Sequence, residues 1–113
     1  MFHLSKTLHF EAAHWLPEHP GKCKTMHGHR WEVTIHVSVR ELNEQGMVVD
    51  FHDLKAIIEK LDHGTLNDHL RTPTAEYLAQ YVYWETARLV PTAATVEIEV
   101  AETPGAVVRY TGE

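Results

Sequence analysis

Cysteine occurs only once in the 113 residues, at Cys23. A lone thiol forms no intrachain disulfide, so a disulfide-stapled scaffold is excluded and a reducing, cytoplasmic setting is expected. Long apolar runs are missing as well. Nothing approaches the about 18 consecutive apolar residues of a membrane-spanning helix. The opening Met1–Lys6 carries no apolar core, so no secretory leader is expected there. Positive charge is scarce: 10 Lys and Arg stand against 16 Asp and Glu, a formal net charge of -6. That balance argues against nucleic acid, whose phosphates want a basic face. Five prolines and six glycines are too few for a fibrous or low-complexity chain. The remainder, 43% hydrophobic and 23% charged, is an ordinary globular composition for one domain over residues 1–113.

What is plentiful is histidine, with ten copies. Three of them fall in a pattern. Phe2, Leu4, Leu8, Phe10 and Ala12 share one parity of an alternating stretch, with Lys6 the exception, which reads as a half-buried strand. One more step of that parity reaches His14. Pro17 and Pro20-Gly21 then break the strand into a loop that delivers Cys23. In the next strand Trp31, Val33, Ile35, Val37 and Val39 face inward, and the same parity runs back through His29 and His27. Positions i and i+2 share a strand face, so His27 and His29 can bind one ion together. Antiparallel pairing of the two strands would add His14, and three neutral imidazoles form an open zinc site. One core-facing histidine alone is usually a hydrogen-bonded packing residue. Three at matched parity beside a thiol are hard to explain by packing. Strand period leaves Cys23 open between ligand and reactive thiol. His3, His9, His19, His36, His52 and His69 read as solvated or locally hydrogen-bonded.

Asn43–Gly46 reads as a turn and Met47–Val49 as a short strand, with Asp50 capping a helix whose stripe is Leu54, Ile57, Ile58 and Leu61. Gly64 is the expected stop of that helix. Spacing alone makes Asp62 and His63 a polar helix end. Thr72-Pro73 is expected to open a second helix, Thr as cap and Pro in the first turn, with Ala75, Leu78, Ala79, Val82, Thr86 and Leu89 inward. A third long strand turns Val96, Ile98 and Val100 inward, and the same parity places Glu102 on the core side. An inward carboxylate is costly unless paired, so Glu102 either lies past the buried region or holds a ligand that donates hydrogen bonds. Ala106–Tyr110 closes a hairpin. The expected fold is α+β: an antiparallel four-stranded sheet with two helices on one face.

Taken together, the motifs Phe10-Glu11-Ala12-Ala13-His14, Cys23-Lys24-Thr25-Met26-His27-Gly28-His29, Gly46–Phe51, Leu61–Asn67, Pro73-Thr74-Ala75-Glu76 and Glu102-Thr103 resemble the 6-pyruvoyl-tetrahydropterin synthase / 6-carboxytetrahydropterin synthase family over nearly the whole chain. The resemblance implies a tunnelling fold assembled as a homohexamer, a dimer of trimers with active sites at subunit contacts. It implies Zn2+ on His14, His27 and His29, catalytic Cys23, Asp62 and His63, and a pterin held by Glu102, with Thr74 and Glu76 nearby. Here it reverses the bland reading of Asp62 and His63. The implied substrate is 7,8-dihydroneopterin triphosphate, and Lys22 and Lys24 are either triphosphate contacts or plain solvated lysines. A chain this short resembles the branch that makes 6-carboxy-5,6,7,8-tetrahydropterin with loss of acetaldehyde and triphosphate, toward queuosine and other deazapurines. The alternatives are the pyruvoyl product, a non-catalytic zinc or pterin carrier, and a zinc hydrolase.

Overall fold

Two 13-residue strands form the spine of the molecule, and a computed structural model describes residues 1–113. Strand β1 (Phe2–His14) pairs antiparallel with β2 (His27–Val39) along its full length, from Phe2 opposite Val39 to His14 opposite His27. At about 3.3 Å per residue such strands run some 40 Å, which accounts for most of the 48 Å long axis. Helix α1 (Phe51–Glu59) follows, then a two-residue strand β3 (Gly64–Thr65), helix α2 (Ala75–Ala87), and the hairpin β4 (Thr95–Thr103) and β5 (Ala106–Tyr110). The sheet order is β3-β1-β2-β4-β5, antiparallel except for β3, which lies parallel to β1 at Ala12 and Ala13.

Alternation decides which face is dry. Phe10, Trp31, Val33, Ile35, Val37, Val96, Ile98 and Val100 meet Leu54, Ile57, Ile58, Leu78, Ala79 and Val82 of the helices in one core. The opposite sheet face is a polar ladder. His3 pairs with Ser38 at 2.7 Å, Ser5 with His36 at 2.7 Å, Thr7 with Thr34 at 3.0 Å and His9 with Glu32 at 2.8 Å. Each rung joins directly opposed residues, where cross-strand side chains sit within reach of each other. Surface or local hydrogen bonding thus accounts for His3, His9 and His36, and His19 likewise accepts from the Gly21 N–H.

Five expectations are corrected. The sheet has five strands, because residues 64–65 add to the outer edge of β1. Met47–Val49 is not a strand. Asn43 occupies its backbone instead, accepting from Met47 N and Gln45 N through Oδ1 while its own N–H donates to Met47 O. Gly64 does not stop α1, which ends at Glu59; the left-handed residue is His63, at φ 58°. The cap of α2 is Thr74, whose hydroxyl accepts from Tyr77 N, and not Thr72, so Pro73 precedes the helix. Leu89 lies beyond the last turn and is exposed. Asp50 caps α1 as expected, accepting from His52 N at 2.8 Å.

Candidate metal centre and active site

The end of the β1–β2 ribbon carries the centre. Because His14 and His27 are directly opposed and His29 is two residues along, strand geometry alone gathers all three imidazoles on the dry side. Ring centroids lie 4.5 Å apart for His14 and His27, 5.1 Å for His14 and His29, and 4.8 Å for His27 and His29. Trp31 forms the floor, 5.0 Å from His14 and 5.5 Å from His29, its Nε1–H held by Ala12 O. From β4 comes Glu102, and its carboxylate and the three imidazoles present ligand atoms all within 4.8 Å of one another. Cys23 is not among them.

Two backbone carbonyls fix the tautomers. His14 Nδ1 lies 2.8 Å from Pro73 O, and His27 Nδ1 lies 2.7 Å from Thr25 O. A carbonyl only accepts, so each Nδ1 carries the proton and each Nε2 turns a lone pair into the pocket when the ring is neutral. This is the outer-shell arrangement that orients metal-binding histidines. Burial pushes the His29 imidazole below its ordinary value; Glu102 opposes that shift, while His14 and His27 add to it. Neutral, ligand-competent imidazole is favoured as a result.

The buried Nε2 atoms of His14 and His29 have no hydrogen-bond partner. Both lie 3.0 Å from Glu102 Oε1, an ion-pair distance without a hydrogen bond. Buried nitrogens left unsatisfied in this way fit a metal ion, and the His and carboxylate donor set suits zinc.

The remaining predicted residues lie around this centre in two groups. Cys23 sits in a single 3-10 turn, Lys22–Lys24, and lines a shallow hollow with Lys22, Thr25, Met26 and His27. Thr74 and Glu76 flank the first turn of α2, next to the Pro73 carbonyl that holds His14. Asp62 and His63 are elsewhere. Asp62 Oδ1 accepts from Glu11 N at 2.9 Å and Oδ2 meets His63 Nδ1 at 3.0 Å. The Glu11 N–H, against slight desolvation and helped by His63, holds the Asp62 carboxyl below the usual carboxylate range. His63 lines a hollow at the outer edge of β1 with Glu11, Ala13, Gly28 and Arg30 and also with Ala12 and His29, so residues of both parities border it. One chain therefore brings the imidazoles, Glu102 and Cys23 together at the ribbon end, with Asp62 and His63 clamped to the edge of β1 at Glu11, outside the cluster of ligand atoms.

The family profile described as 6-pyruvoyl tetrahydropterin synthase matches residues 3–113. The chain belongs to that family. A Synechocystis protein named 6-carboxy-5,6,7,8-tetrahydropterin synthase is 38% identical, covering 97% of this chain and 93% of its own. A Bacillus subtilis protein of the same name is 36% identical over 91% of this chain and 80% of its own. Among solved structures, Caenorhabditis elegans 6-pyruvoyl tetrahydropterin synthase superposes with a TM-score of 0.79 at 23% identity, covering 99% of this chain and 96% of that one. At such identity the likeness establishes the tetrahydropterin synthase fold.

The carbonyls of Pro73 and Thr25 were not legible as site groups, since backbone atoms leave no mark in residue type. The inward parity of Glu102 was the one sequence signal for its place beside the imidazoles.

Proposed function

We propose that this chain converts 7,8-dihydroneopterin triphosphate to 6-carboxy-5,6,7,8-tetrahydropterin, releasing acetaldehyde and triphosphate, in a step that leads to deazapurines such as queuosine. The observation that carries the reading is the convergence of His14, His27 and His29 at the ribbon end beside Cys23. Relatives of that name, at 38% and 36% identity over most of the chain, support the choice of product.

His14, His27 and His29 would hold zinc, which as a Lewis acid polarises oxygens of the substrate side chain and makes the adjacent C–H groups more acidic. Cys23 takes and returns the proton, its thiolate being the stronger base and nucleophile of its two forms. Asp62 holds His63 by Nδ1, leaving Nε2 to exchange a proton with the thiol or the substrate. That pair would reach the site from a second copy, because within one chain it is clamped to the edge of β1 at Glu11, outside the cluster of ligand atoms. A homo-oligomer, a hexamer of two trimers, meets this need. Two unpaired edges suit such assembly: β5 on one side, and β1 on the other, where β3 covers only Ala12 and Ala13. Glu102, with Thr74 and Glu76, holds the pterin; a carboxylate accepts two parallel N–H bonds from a guanidine-like edge and so fixes the ring.

Zinc-loaded protein incubated anaerobically with 7,8-dihydroneopterin triphosphate should yield acetaldehyde and a carboxylated tetrahydropterin by mass spectrometry. A pyruvoyl product without acetaldehyde would move the chain to the other branch. Unchanged substrate, with zinc shown to be bound, would leave a carrier.

A further inference from the structure

We propose that Asn67 is a positioning residue, whose side chain fixes where His14 and the thiol of Cys23 stand relative to each other. The inference rests on the reading that both groups serve one reaction.

Strand β1 runs out of regular partners at its C-terminal end. Its ladder with β2 stops at His14 opposite His27, and β3 covers it only as far as Ala13 opposite Thr65. Trp15, the next residue, lies past both ladders. After Thr65 the chain enters a 3-10 turn, Leu66–Asp68, anchored in the core by the buried Leu66. From that turn the Asn67 side chain reaches back to β1. Its Oδ1 accepts from Trp15 N at 3.1 Å, and its Nδ2 donates to Trp15 O at 3.1 Å. A carboxamide offers the acceptor and the donor of a peptide group, so one side chain here stands in for a strand residue. The pair is partly buried, which limits competition from water.

This is the second of two clamps on one edge. Glu11 and Trp15 are four residues apart, so their N–H and C=O groups turn the same way. Those of Glu11 meet Asp62 Oδ1 and the His63 N–H, and those of Trp15 meet Asn67. His14 lies inside the bracket, its ring held by the Pro73 carbonyl.

The Asn67 clamp also reaches the thiol. Leu16, directly after Trp15, donates its N–H to Cys23 O at 2.6 Å. That bond closes the intervening loop and sets the turn Lys22–Lys24 that carries Cys23. Trp15 thus separates His14 from Leu16 in the chain, and Asn67 holds both of its backbone polar groups. With the clamp gone, the ring and the thiol are free to drift apart. Proton transfer tolerates little of this, since about 1 Å of misplacement can cost on the order of 10²-fold in rate.

The test uses Asn67→Ala, which removes both bonds, and Asn67→Asp, which keeps the size and the acceptor but loses the donor to Trp15 O. Cys23 is the single cysteine, so alkylation of the native, metal-free protein by iodoacetamide reports this thiol alone. In both variants Cys23 should alkylate several-fold faster, because its turn is less held and the sulfur more accessible. In zinc-loaded protein turning over 7,8-dihydroneopterin triphosphate, kcat should fall about 10–100-fold with KM unchanged. Should Asn67→Ala fail to fold, Asn67→Asp decides alone. Folded variants with wild-type kcat and wild-type alkylation, whatever their melting temperature, overturn the proposal and leave Asn67 a purely structural residue. A raised KM with kcat intact overturns it as well, since that places Asn67 in binding. Faster alkylation of the variants beside a wild type inert toward the pterin sustains the clamp and faults the proposed reaction instead.

Discussion

His63 is the residue whose conformation and chemistry conflict most openly. Its φ of 58° lies in the left-handed region, which non-glycine residues enter at a cost. Gly64, which could adopt it freely, is instead in β3, paired with Ala12. The neighbouring bonds impose this: His63 N donates to Glu11 O at 2.6 Å while Asp62 Oδ1 accepts from Glu11 N, clamping the turn to β1 from both sides. Strain of this kind is kept where a side chain is needed. His63→Gly should relieve about 1 kcal/mol of left-handed strain, read as a raised melting temperature, while turnover falls to background. A destabilised variant would mean that the imidazole contributes to the fold rather than to chemistry.

At the scale of elements, Thr74 joins a helix to the histidine cluster. Its hydroxyl caps α2 through Tyr77 N, and the residue before it gives His14 its carbonyl partner. Thr74→Ala should cost about 1 kcal/mol in denaturant unfolding, the usual value for a lost N-cap, and should weaken zinc binding through the Pro73 carbonyl. Thr74→Ser should restore both, since the cap needs only a hydroxyl. If Ser restores the stability and zinc affinity but turnover stays low, the Thr methyl contacts substrate. The long strands and both helices were legible because their apolar periods of 2 and 3.6 persist over many residues. β3 was not, since two residues hold no period and exist as a strand only through Ala12 and Ala13. Met47–Val49 misled for the converse reason. Its apolar character buries Val49, at 5% exposure, without any ladder.

For the whole molecule, the sheet separates a dry face under the helices from the polar ladder of His3, Ser5, Thr7, His9, Glu32, Thr34, His36 and Ser38. The histidine cluster lies where β1, β2, β4 and the start of α2 meet, so a zinc ion held there would tie together elements far apart in sequence. Ligands that bind only the native state stabilise it by mass action. Removing metal with a chelator should lower the melting temperature, and zinc at 100 times its dissociation constant should restore about 2.7 kcal/mol. A melting temperature indifferent to both treatments would show that His14, His27 and His29 hold no ion of consequence to the fold.

Much of this protein follows from its sequence alone. Parity along two strands brought His14, His27 and His29 to one face, because pleated backbone alternates without regard to what lies far away. The family motifs, similarly local, named Cys23, Asp62, His63 and Glu102 as candidates. Tertiary structure decided the rest. It set Glu102 against two imidazoles, gave His14 and His27 their carbonyls, and clamped Asp62 and His63 to the edge of β1 at Glu11. Those outcomes depend on register, a strand irregularity and backbone atoms brought together across 59 residues in the case of His14 and Pro73. Side-chain identity carries no record of such contacts, so only the folded chain reveals them.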